Sequence, residues 1–99
     1  MAIIKELTFY DFVQAFENHN RQNQFTRAGL SALYDFLEEY SEELGENLEL
    51  DVIALCCDFT EFPRVSDALK EYNFSHYDEL ASSTLIIPTD DGGLLIQEF

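Results

Sequence analysis

The residues whose types and spacing could do chemistry here are carboxylates. Between Arg27 and Arg64 the chain carries ten acidic side chains and no Lys or Arg: Asp35, Glu38, Glu39, Glu42, Glu43, Glu46, Glu49, Asp51, Asp58 and Glu61. Asp35–Glu39, Glu38–Glu42 and Glu39–Glu43 are four apart, so on a helix each pair is separated by about 6 Å along the axis. Like charges at this spacing are destabilising by about 0.2–0.5 kcal/mol per pair, and no basic neighbour relieves them. Most charge runs are solvated faces, but ordinary solvated faces mix signs. A face that keeps this repulsion fits recognition of a basic partner. The carboxylate spacing is of the same order as the ~3.4 Å spacing of phosphates along one DNA strand. An acidic helix can therefore occupy a groove shaped for a nucleic-acid backbone. The candidate partner-binding residues are Asp35, Glu38, Glu39, Glu42, Glu43 and Glu46, with Glu49 and Glu61 set aside until their geometry is known.

Other chemistries find less support. His19 and His76 are far apart and stand in no metal-ligand spacing with Cys or Asp. Asp90-Asp91-Gly92-Gly93 resembles a fragment of a calcium loop, but lacks the alternating oxygen ligands and the final Glu. It reads as a turn, so no metal or other cofactor is expected. No Gly-rich phosphate loop, Gly-x-Ser-x-Gly or His-Glu-x-x-His occurs. Cys56 and Cys57 lie in an apolar run within an acidic protein, where nothing electropositive would lower a thiol pKa. A catalytic role is not expected.

Composition points the same way. Twenty Asp and Glu against five Lys and Arg give a net charge of −15. That field repels nucleic acid and anionic membranes and attracts basic protein surfaces. Nine Phe and five Tyr within a 46% apolar chain of 99 residues suit one packed domain, residues 1–99, and not a disordered acidic tail. No stretch approaches the roughly 20 apolar residues that span a bilayer. The start of the chain does not read as a signal peptide, and two adjacent thiols fit a reducing cytoplasm.

These residues need elements to hold them. Thr8-Phe9-Tyr10-Asp11 reads as a capping box, followed by Phe9, Phe12, Val13 and Phe16 at helical spacing up to about Asn18. A second helix runs from Thr26 or Arg27 to Leu44, with Gly45 as its stop. Its Leu30, Leu33, Leu37, Tyr40 and Leu44 share one side, opposite the carboxylates. Tyr10, Tyr34 and Phe36 lie at the flanks of apolar stripes, where core is the first assignment and an interface rim the second. Leu48 to Phe59 reads as a strand apolar on both faces, with Cys56 and Cys57 pointing opposite ways. A short helix from about Ser66 to Tyr72 follows Pro63, and Ser75-His76-Tyr77-Asp78 opens one more helical turn. Thr84–Ile87 and Leu94–Phe99 form a hairpin around Thr89-Asp90-Asp91-Gly92-Gly93, with Pro88 at a strand end or an edge. The fold class is α+β, in two layers: two N-terminal helices packed on a three-stranded, mainly antiparallel sheet, with one or two short helices between strands 1 and 2. Either residues 60–82 or another molecule must cover the second sheet face, and a homodimer would satisfy the latter.

Leu37-Glu38-Glu39-Tyr40, Glu49-Leu50-Asp51-Val52-Ile53-Ala54-Leu55-Cys56-Cys57, Thr60-Glu61-Phe62 and Leu95-Ile96-Gln97-Glu98-Phe99 together resemble small acidic proteins of bacteriophages and prophages. The resemblance implies an anti-defence protein of the anti-CRISPR type, acting in the bacterial cytoplasm, and assigns no role to any single residue. The expected partner is then a basic, nucleic-acid-binding protein surface such as that of a CRISPR effector. The rival expectation is a homodimeric structural or regulatory adaptor whose acidity serves solubility alone.

Overall fold

A computed structural model of the chain describes residues 7–21, 23–45 and 49–99. Glu46 and the start of the expected strand at Leu48 lie outside the described residues.

Thr8 caps α1 (Phe9–Asn18) reciprocally: its hydroxyl accepts from Asp11 N–H and the Asp11 carboxylate accepts from Thr8 N–H. α2 (Arg27–Leu44) begins at Thr26 and ends on Gly45, whose φ of 68° is the left-handed conformation that glycine adopts without a Cβ penalty. α3 (Val52–Asp58), β1 (Phe59–Phe62), α4 (Val65–Tyr72), α5 (Tyr77–Ser83), β2 (Ile86–Pro88) and β3 (Leu94–Gln97) follow. The sheet order is β1-β3-β2, antiparallel throughout, with Glu61 opposite Leu95 and Ile87 opposite the same residue. Pro88 closes β2 against Leu94, where its missing N–H costs least. The α+β architecture, the two N-terminal helices and the paired short helices before β2 are as the sequence implies.

Leu48–Phe59 is not the first strand. Residues 52–58 are helical, and the strand is displaced to Phe59–Phe62. Asp51 explains the difference, since its carboxylate accepts from Ala54 N–H (3.0 Å) and so starts a helix. A run that is apolar everywhere satisfies a period of 3.6 as well as a period of 2. Val52, Leu55, Cys56 and Phe59 meet the core, while Ile53 and Cys57 face outward. The helix start at Ser75 is likewise displaced by one residue: the Glu79 carboxylate accepts from the N–H groups of both Ser75 and His76.

Each face of the sheet has its own core. Leu95 and Ile87 join Phe12, Phe16, Leu30, Leu33, Val52 and Phe59 beneath α1, α2 and α3. Leu94 and Ile96, pointing the other way along β3, join Ala68 and Leu80 beneath α4 and α5. The arrangement is therefore three layers and not the two expected, because α4 and α5 pack on the second apolar face. Residues 60–82 supply the cover that the sequence left open between themselves and a second molecule.

Candidate functional site

Glu61 fixes where α2 starts. From β1 its carboxylate accepts from Thr26 N–H (2.7 Å) and from the Thr26 hydroxyl (2.5 Å), while that hydroxyl accepts from Gly29 N–H (3.1 Å). Gly29 has no room for a Cβ, because the Glu61 carboxylate occupies the space. Glu61 is thus a structural carboxylate that joins the sheet to the helix. Inward, Leu30, Leu33 and Ser41 are buried and Leu37 is half-buried. Tyr40 and Leu44, expected on the buried side, are 45% and 48% exposed. The strands are three or four residues long, about 10–13 Å, whereas the 18 residues of α2 extend about 27 Å. The helix outlasts the sheet on which it packs.

With the inner side fixed, the outer side follows. Asp35, Glu39, Glu42 and Glu43 are exposed, and their carboxylates make no hydrogen bond or ion pair among the described residues. Glu38 is half-buried beside Tyr34. The Tyr34 hydroxyl donates to Leu7 O (2.5 Å), and its pKa is raised first by burial and then by the charges of Glu38 and Asp35. Five of the six candidate residues therefore share one helix face. The sixth, Glu46, lies outside the described residues.

The placement opposes the helix's own electrostatics. A helix end with free carbonyls is stabilised by cations and destabilised by anions, yet the last turn of α2 holds Glu42 and Glu43 and no basic residue. Its first turn holds no acidic residue, and Arg27 there lies over the Phe9 ring, 5.1 Å from its centroid. Neither helix polarity nor ion pairing accounts for acid at this site.

Beside the acidic face runs an apolar surface that sequence periodicity misassigned or missed. Phe36 stacks on Tyr40 with ring centroids 6.0 Å apart and planes within 10°. Leu85, just before β2, is 37% exposed and lines one depression together with both rings. Phe36 sits at the flank of the α2 stripe, which was the available signal. Leu85 carried none, because hairpin alternation says nothing about which helix lies across from it.

Elsewhere, Asp91 and Cys56 are each held by their surroundings. Asp91 accepts from the Thr89 hydroxyl and from Gly93 N–H, and these two bonds, in that order, hold its carboxyl below the usual range. Burial pushes the Cys56 thiol up, against a smaller opposing pull from Arg21. Among the described residues no three His, Cys, Asp or Glu side chains gather where they could hold a metal ion, and no helix is long and apolar enough to cross a membrane. No family model matches the chain, and neither a curated protein nor a solved structure does, so a functional reading rests on these side chains themselves.

Proposed function

We propose that this protein is a binding module that presents the carboxylate face of α2 to a basic, nucleic-acid-binding protein surface, as a phage-type inhibitor of a bacterial defence complex would. The observation that carries this reading is the group Asp35, Glu39, Glu42 and Glu43. These four are exposed, without polar partners among the described residues, mutually repelling, and partly set at the wrong end of a helix dipole. A basic partner would relieve all of these penalties at once. The net charge of −15 would add long-range steering toward such a partner, and the anti-defence setting rests on the sequence resemblance.

The test is competition with DNA for a purified, DNA-binding CRISPR effector complex. The unmodified protein should displace DNA, and its affinity should fall steeply between 50 and 200 mM salt. Reversing Glu38, Glu39, Glu42 and Glu43 together to Lys should weaken competition by roughly 100-fold or more, since close interfacial charge pairs couple by about 1.5–7 kcal/mol. Circular dichroism would establish that the variant is folded. A folded variant that competes as well as its parent ends the acidic-face mechanism.

A further inference from the structure

Three depressions of about 350, 410 and 220 Å³ adjoin one another along one flank of α2. Phe36 and Leu85 line both the first and the second, and Leu37 and Tyr40 line both the second and the third. They form one groove between α2, the β2 side of the sheet and the start of α3. The floor is apolar. The margins are acidic: Asp35, Glu39 and Asp90 at one end, Glu49 and Asp51 at the other. Among the described residues no Lys or Arg borders any of the three.

From this charge complementarity we infer that the groove receives a cationic polypeptide segment carrying an aliphatic or aromatic anchor. The inference rests on the acidic-face reading and adds what that face alone does not supply. Exposed carboxylates by themselves give weak, salt-screened attraction. Desolvated apolar anchors dominate most protein interfaces, and here Tyr40 and Leu85 stand exposed next to the charges. The acidic margins decide the occupant. A second copy of this chain, a nucleic acid or an anionic lipid would each bring further negative charge into a groove that already holds five carboxylates. A basic segment would neutralise them while its anchor covers Tyr40 and Leu85.

The probe is a short fluorescent peptide alternating arginine and leucine, with a counterpart in which serine replaces each leucine, both followed by fluorescence anisotropy. The leucine peptide should bind the unmodified protein roughly tenfold more tightly than the serine peptide, a difference of about 1.4 kcal/mol. The uncharged changes Tyr40→Ala and Leu85→Ser should remove that preference and leave serine-peptide binding unchanged. Leu85→Ser alone, at a partly exposed position before β2, serves if Tyr40→Ala unfolds the chain. Equal binding of the two peptides, or a preference that survives in the groove variants, overturns the inference. So does self-association in sedimentation that the groove variants abolish, because a second copy would then be the occupant. The fourfold Glu→Lys variant keeps the two readings distinguishable. If it alone loses binding of both peptides while the groove variants behave like their parent, the acidic face stands and the groove falls.

Discussion

The carboxylates of α2's outer face and those around the sheet are the same chemical groups in opposite circumstances. Around the sheet, Glu61 holds Thr26 and Glu98 accepts from the hydroxyls of Thr60 and Tyr72. Asp91 closes the β2–β3 turn, and Asp51 starts the helix that leads into β1. Each satisfies a donor that the fold would otherwise leave to water. On α2, Asp35, Glu39, Glu42 and Glu43 satisfy nothing among the described residues. The difference teaches that a high count of Asp and Glu is not one property. Part of this chain's acidity is architecture, and part, on the outer face of α2, has no such task among the described residues.

The comparison breaks most readily at Glu61. Glu61→Ala deletes two hydrogen bonds to a charged acceptor, each of a kind worth about 1.5–3 kcal/mol. Thr26 is exposed, so water recovers part of the loss, and the expected destabilisation is about 1.5 kcal/mol in urea denaturation. Glu61→Gln keeps the shape and one acceptor oxygen, and should restore part of it. If Glu61→Ala unfolds at the same urea concentration as its parent, the sheet-side carboxylates are no more structural than those of α2.

Asp51 sharpens the same contrast with a smaller effect. As N-cap of α3 its removal should cost about 1 kcal/mol, the usual cost of replacing such a cap by Ala. The Val52–Asp58 segment would be affected first, so its amides should lose hydrogen-exchange protection before those of β3. A uniform loss of protection would mean that the cap does not act locally.

How much of this was legible in the sequence depends on whether a signal was local. α1 and α2 were readable to within a residue, because Thr8, Thr26 and Gly45 are capping residues flanking clear 3.6-residue periods. The carboxylate face was readable for the same reason. The strand expected at Leu48–Phe59 was not, since its all-apolar centre, residues 52–57, carries no period, and only the Asp51 cap distinguishes helix from strand. The division of carboxylates into structural and free was also hidden. Glu61 lies 35 residues from its partner Thr26, and Glu98 lies 38 from Thr60. The first exists only once β1 lies against the start of α2, and the second only once β1 and β3 are side by side. The exposure of Tyr40 and Leu44 was invisible likewise, because periodicity gives a helix's inward direction but not the length of the sheet beneath it.

The smallest expected effect is also the one whose sign separates the two regions. Glu42→Gln removes the repulsion with Glu38 and takes an anion away from the negative end of α2, and Glu43→Gln does the same with respect to Glu39. Repulsion of this kind is about 0.2–0.5 kcal/mol per pair, and a surface charge at a helix end contributes about 0.3–1 kcal/mol at low salt. At the low end of both ranges, as suits exposed side chains, each change should stabilise the protein by about 0.5 kcal/mol, raising the melting temperature by about 2–4 °C at 4–8 °C per kcal/mol for a domain of this size. The gain should shrink in 1 M salt, where the Debye length is about 3 Å. Loss of a carboxylate at Glu61 or Asp51 destabilises; loss of one at Glu42 or Glu43 should do the reverse while weakening capture of a basic ligand. Were Glu42→Gln and Glu43→Gln to lower the melting temperature in dilute buffer, these two side chains would belong with the architectural carboxylates after all.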